Sequence, residues 1–100
     1  FVAETGAGEV AGMLMCRIKT MQGHPIVRDG KTLWIEDACV DERHQGLGLG
    51  RLLLEHAKRF AKENGCTRME LIVWAFNKNA REFYASQGMR EQRAVMELDV

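Results

Sequence analysis

The segment DERHQGLGLGR, residues 41–51, decides how the rest of this 100-residue chain can be arranged. An apolar run at residues 33–40 precedes it and an amphipathic segment at residues 49–64 follows it, which indicates the order strand, glycine loop, helix. Three glycines at alternate positions let the backbone pass close to a ligand and point several N–H groups in one direction. The positive end of the helix dipole lies at the same place, and Arg51 adds a full charge. The segment therefore predicts a phosphate-binding loop.

Two common nucleotide-binding loops do not fit this spacing. A P-loop requires a Lys-Ser or Lys-Thr pair after its last glycine, whereas Arg51 and Leu52 stand here. The dinucleotide-binding fingerprint requires a third glycine at the position of Arg51. It also requires a tight turn from the strand into the first glycine, whereas five polar residues separate Val40 from Gly46. Both interpretations are excluded.

The loop instead resembles the Q/R-x-x-G-x-G/A loop of the GNAT family of N-acetyltransferases, which holds the pyrophosphate of acetyl-coenzyme A (acetyl-CoA). The resemblance includes LWIEDACV (residues 33–40) before the loop. It resumes in VWAFNKNAREFYASQGM (residues 73–89), which is similar to that family's N-x-x-A-x-x-F-Y-x-x-x-G-F/M segment. The resemblance implies that acetyl-CoA is the acetyl donor and is bound by Ala38, Cys39, Val40, Gln45, Gly46, Leu47, Gly48, Leu49, Gly50, Arg51, Asn77 and Tyr84.

The resemblance also assigns parts of the cofactor to these residues. Ala38 and Val40 would contribute backbone groups to the pantetheine arm, and Asn77 would bond to it. Gln45 stands where the family more often has arginine, so Arg43 or Arg51 would compensate for the missing charge. In the family, the strands before and after the long helix separate at their ends, and the pantetheine arm lies in the opening. The periodicity of this sequence does not itself predict that opening.

Acetyl transfer to an amine requires a base, because only about one aliphatic amine in a thousand is unprotonated at neutral pH. Glu36 lies in an apolar strand just before the loop, where we expect burial to make the carboxylate a better base. Its position resembles that of the glutamate base in polyamine-type GNAT members, with Asp37 as the substitute. Neighbouring strand residues point to opposite faces, so these carboxylates share one site only if a bulge intervenes. The alternative for Glu36 is a side chain that bonds a neighbouring strand or faces solvent.

The leaving thiolate of coenzyme A requires an acid. Tyr84 matches the tyrosine that plays this part in the family, so the resemblance assigns it the acid role. The alternative is a core tyrosine on the apolar side of a short helix, whose hydroxyl would still need a partner.

The composition limits the class of protein. The apolar content of 46% is ample for a core, and 14 basic residues against 14 acidic ones do not suggest binding to nucleic acid or to a membrane. No apolar run approaches the roughly 20 residues of a membrane span. Cys16, Cys39 and Cys66 are odd in number and lack metal-ligand spacing, which indicates reduced thiols in a cytoplasmic protein.

The periodicity predicts one α/β (α+β) domain over residues 1–100, a mixed, twisted sheet flanked by helices. Asn77 or Asn79 would cap the second helix. The strands before and after the long helix are expected to be parallel. The predicted strands cover residues 1–4, 10–18, 32–40, 68–74 and 94–100, and the predicted helices cover residues 49–64 and about 78–87.

The beginning of the chain carries a further expectation. Residues 1–4 resemble the family's second strand, so the family's N-terminal strand and its one or two acceptor-side helices are expected to be absent. The chain would then be the core of a longer protein. An uncovered apolar edge pairs readily with another chain, so we expect a homodimer or strand exchange. The acceptor, a polyamine, another small amine or a peptide amino group, is not decided, and the rival hypothesis is a module that only binds acyl-CoA.

Overall fold

A mixed four-stranded sheet and two helices make up the regular structure of the described chain. The structure is a computed structural model, and it describes residues 1–4, 8, 10–23, 30–41 and 48–100. The strands lie in the order β1-β2-β3-β4. Only β3 and β4 are parallel, and the other neighbours are antiparallel. The elements are β1 Val2–Glu4, β2 Val10–Met21, β3 Gly30–Val40, α1 Leu49–Glu63, β4 Arg68–Glu70 and α2 Lys78–Ser86. The predicted mixed sheet, with parallel strands on either side of the long helix, is confirmed.

The core lies between α1 and one face of the sheet. Apolar side chains recur on one side of α1, as an amphipathic helix requires, and they pack against β2 and β3. Leu33, at the middle of the sheet, is fully buried. The other core residues are Leu14, Ile35, Leu53, Leu54, Ala57 and Ala61. No helix in the described ranges is long and apolar enough to cross a membrane.

A β-bulge interrupts β3 at Glu36. Met15 on β2 lies opposite Asp37, whereas the next residue, Cys16, lies opposite Ile35. Glu36 is therefore the extra residue on β3, with no direct partner in this pair of strands. The bulge that the sequence left open is thus present.

The parallel pairing of β3 with β4 is short. It runs from Thr32 opposite Arg68 to Trp34 opposite Glu70 and then stops. The predicted strand over residues 68–74 is therefore wrong in its second half, because residues 71–74 do not pair with β3. The opening that the sequence pattern could not predict begins at this point.

The predicted last strand, residues 94–100, does not form. Its alternating side chains remain exposed, for example Val95 at 88% and Leu98 at 85%. Alternation shows only that a segment is suited to a strand, whereas a strand also needs a neighbour for its backbone N–H and C=O groups. None of the described strands pairs with residues 94–100. Before this segment, Gln92 Nε2 donates to Glu70 Oε1 at 2.9 Å.

Candidate active site

A cleft opens between the second half of β3 and the segment that follows β4. Its volume is about 190 Å³. It brings together residues that are far apart in the sequence, namely Ile35, Glu36, Asp37, Ala38, Leu71, Ile72, Val73, Trp74, Asn77, Ala80 and Tyr84. Four of the residues predicted for the site, Glu36, Ala38, Asn77 and Tyr84, therefore line one opening.

The walls of this cleft are extended backbone. Beyond Trp34, β3 keeps β2 as its neighbour but has lost β4. Among the described residues, the pairing of β3 with β4 stops at Trp34. Backbone groups of β3 beyond that point therefore have no partner in β4 and need another one, such as a ligand or water. An extended ligand with amide groups, such as a pantetheine arm, matches such a wall.

The bulge places both carboxylates on the face of the sheet away from α1. Residues directly opposite each other on antiparallel strands share a face. Ile35 faces the core, so Trp34, opposite Arg17, faces away from α1. After the extra residue, Asp37 also faces away from α1, whereas regular alternation would have turned it toward the core.

Glu36 lies on that same face, as its ion pair with Arg17 shows. Its Oε1 is 2.7 Å from Arg17 Nε, and 39% of the glutamate side chain is exposed. The expected burial of Glu36 is therefore wrong, because the bulge moves this residue out of the ladder and toward a cation at the surface. An ion pair this exposed adds little to stability, but it fixes one carboxylate oxygen in place.

Tyr84 lies on α2, where its ring packs edge-on against Phe83 with centroids 5.3 Å apart. Partial burial raises the pKa of Tyr84 above its ordinary value of 10.0, and the negative charge of Asp37 raises it further. At neutral pH the hydroxyl therefore keeps its proton, so it can donate one to an atom that becomes negatively charged.

Asn77 begins α2. Its Oδ1 accepts a hydrogen bond from the Ala80 backbone N–H at 3.2 Å, which makes it the cap in place of Asn79. The cap uses the side-chain oxygen and leaves the amide NH₂ group available to a ligand. The two readings of Asn77, helix cap and ligand contact, are therefore compatible.

The described part of the glycine loop ends in the first turn of α1. Gln45, Gly46 and Leu47 lie outside the described residues, as does Arg43. Gly48 is the N-cap of α1 with φ +78°, a left-handed conformation that favours glycine. Leu49, Gly50 and Arg51 form the first turn, which contains no acidic residue, so no side chain of this turn neutralises the positive end of the helix dipole.

Gly50 has a packing role that the sequence did not reveal. A Cβ at this position would come 3.2 Å from the ring of Phe83. The absence of a side chain therefore lets α2 approach the beginning of α1, which places Tyr84 beside the same opening.

Two cations near the cleft were not predicted from the sequence. Arg17 pairs with Glu36, and Lys19 Nζ lies 4.0 Å from the ring centroid of Trp34. The signal in the sequence was Arg17, the only charged residue in the otherwise apolar segment 10–18. A single cation in such a strand indicates a specific acidic partner.

Comparisons with known proteins point to one family. Residues 1–89 match the model of the acetyltransferase (GNAT) family. An uncharacterised N-acetyltransferase of Lactobacillus delbrueckii subsp. lactis is 37% identical over 82 residues, which are 82% of this chain and 46% of that protein. A thialysine N-epsilon-acetyltransferase of Bos taurus is 27% identical over 62 residues, 62% of this chain and 36% of that protein.

A solved structure gives the same result for the fold. The crystal structure of a mutant protein from Bacillus halodurans superposes with a TM-score of 0.94 at 33% identity. The superposition covers 99% of this chain and 63% of the Bacillus chain. The chain thus spans less than two thirds of the length of these similar proteins.

Proposed function

Since the chain belongs to the acetyltransferase (GNAT) family, we propose that it transfers an acetyl group from acetyl-CoA to a primary amine by direct attack in a ternary complex. The observation that carries this proposal is the cleft between β3 and residues 71–74. It combines a wall of backbone groups that suits an extended donor with two carboxylates and a protonated phenol.

The residues present fit acetyl-CoA as the donor. Backbone groups of Ala38, Cys39 and Val40, together with the amide of Asn77, would hold the pantetheine arm. The pyrophosphate would lie at the beginning of α1, where Gly48 adopts its left-handed conformation and Arg51 adds a charge. The full set for this second part is Gln45, Gly46, Leu47, Gly48, Leu49, Gly50 and Arg51.

The chemistry requires three proton transfers, two from the nitrogen and one to the sulfur. We assign Glu36 to remove a proton from the acceptor ammonium, with Asp37 beside it on the same face as the substitute. The free amine nitrogen then forms a bond to the acetyl carbonyl carbon while the C–S bond breaks, and Tyr84 gives its proton to the departing sulfur. The nitrogen loses its second proton, which restores the Tyr84 hydroxyl directly or through water. Glu36 releases the first proton to solvent. The products are the N-acetyl amine and the coenzyme A thiol.

We also propose a small amine as the acceptor, a homodimer as the assembly and the cytoplasm as the location. Thialysine in the name of the bovine relative, and the polyamine-type resemblance, favour a small amine. A homodimer is part of the proposal, because an uncovered strand edge pairs readily with another chain. The three cysteines are free, which fits a cytoplasmic protein.

A turnover assay against a panel of amines tests the proposal. The purified chain is mixed with acetyl-CoA and each amine, and the released thiol is measured with a thiol reagent. We expect amine-dependent release that falls in Glu36→Gln and in Tyr84→Phe. Binding of acetyl-CoA by calorimetry without release for any amine would favour the rival hypothesis of a non-catalytic acyl-CoA-binding module.

A further inference from the structure

The sheet face away from α1 carries both signs of charge around one aromatic ring. We call this surface the open face, and it consists of Arg17, Lys19, Trp34, Glu36 and Asp37. On β2 and β3, two cations therefore balance two carboxylates, and the ion-paired Arg68 and Glu70 of β4 lie beside them on the same face. An acceptor with only positive charges would meet repulsion from the cations of this surface, whereas an acceptor that also carries a carboxylate would pair that group with them.

The cations retain the capacity to bind another anion. Arg17 contacts Glu36 through Nε. A guanidinium has five N–H donors, more than one carboxylate uses. Lys19 rests on the Trp34 ring, and no carboxylate of the described ranges forms an ion pair with it. The ring holds its ammonium by a cation–π contact, which leaves N–H donors directed elsewhere.

The two kinds of charge are separated along the strands. Asp37 lies opposite Met15, and Arg17 and Lys19 follow Met15 on β2 by two and four residues. At about 3.4 Å per strand residue, their backbone positions lie about 7 and 14 Å further along the sheet. An amine bound beside Asp37 and Tyr84 would thus have the cations at the other end of a short carbon chain.

We propose that the open face selects acceptors that carry a carboxylate as well as the reacting amine, namely amino acids with a side-chain amine. Arg17 and Lys19 bind the carboxylate, and Trp34 supports the carbon chain between the two ends. Glu36 and Asp37 receive the amine. This inference rests on the proposed amine acetylation and adds the class of acceptor.

Matched acceptors test the proposal directly. Lysine and cadaverine differ only in the carboxylate, as do ornithine and putrescine. We expect the wild-type chain to show a kcat/KM at least tenfold higher for the amino acid in each pair. Lys19→Met keeps the carbon stem over Trp34 and should lower that ratio about tenfold, the value of one charge-assisted hydrogen bond. Lys19→Glu should reverse the preference.

The control is Lys58→Met, which removes an exposed lysine on α1 and should leave the ratio unchanged. Equal or better turnover of cadaverine by the wild type, or a ratio that Lys19→Glu does not alter, would overturn the proposal and leave amine acetylation standing. Acetyl-CoA binding without turnover of any amine would overturn both.

Discussion

The two halves of β3 have opposite properties. The first half, ending at Trp34, has β2 on one side and β4 on the other, and it contains the fully buried Leu33. The second half has only β2 beside it among the described residues, contains the bulge at Glu36, and is exposed at residues 36–39. A single strand therefore contributes the buried Leu33 at one end and, at the other, the carboxylates that we propose act on the amine.

Backbone hydrogen bonding explains this difference. Where both sides of a strand are paired, its N–H and C=O groups are satisfied and none remains for a ligand. Where one neighbour leaves, those groups become available, and the side chains between them lose cover. The first half should therefore determine stability and the second half activity, which the following variants test in order of decreasing effect.

Leu33→Ala should have the largest effect, a loss of roughly 2–5 kcal/mol in the free energy of unfolding, because it leaves a cavity in the core. Urea unfolding measures this, and the kcat of the remaining folded protein should change little. Ile72→Ala is the control, because Ile72 is 71% exposed and its truncation should cost far less. Equal losses for the two variants would contradict the comparison.

Tyr84→Phe should lower kcat by roughly 10²-fold, within the range that general acids contribute, because the departing sulfur loses its proton donor. Steady-state kinetics measures this, and calorimetry should find nearly the same affinity for acetyl-CoA. The free energy of unfolding should also change little. A variant that turns over at the wild-type rate would make Tyr84 a packing residue.

Gly48→Val should weaken acetyl-CoA binding by about tenfold or more, because a β-branched residue costs roughly 1–2 kcal/mol in a left-handed conformation. A Cβ there meets no atom of the described residues within 4 Å, so the fold should persist. Gly65→Val is a matched control, since Gly65 has φ +75° and equal space at the other end of α1. Calorimetry showing equal affinity for the two variants would rule out a role of Gly48 in binding.

The smallest effect concerns Tyr84, the only tyrosine in the chain, so phenolate absorbance reports it alone. The midpoint of the Tyr84 titration should lie above pH 10.0. Asp37→Asn should lower that midpoint but leave it above 10.0, because burial raises the pKa more than the charge of Asp37 does. Because the pKa of Tyr84 is higher in the folded chain than in the unfolded chain, keeping its hydroxyl protonated contributes to the free energy of unfolding. That contribution is complete below the unfolded pKa and is lost as the pH rises through the folded pKa. If the midpoint did not change in Asp37→Asn, the negative charge of Asp37 would have no effect on the Tyr84 hydroxyl.

Local patterns predicted much of the fold. The amphipathic period placed α1 within a residue or two of its observed ends, and the strand before the loop was found at β3. Asn77, one of two candidate caps, proved to be the cap. The segment 94–100 was misjudged for a physical reason, because alternation describes the side chains and not the neighbour that a strand requires.

The sequence by itself determined the order of elements from β1 to α2 and the glycines at the beginning of α1, because periodicity and backbone freedom are local properties. It also determined the family, through motifs that are contiguous in the chain. Only the tertiary structure decided that β3 and β4 separate after Trp34 and that a bulge turns Asp37 onto the face of Arg17. It likewise decided that Glu36 is exposed and not buried. Register, separation and burial depend on which residues lie opposite each other, and a single strand does not contain that information.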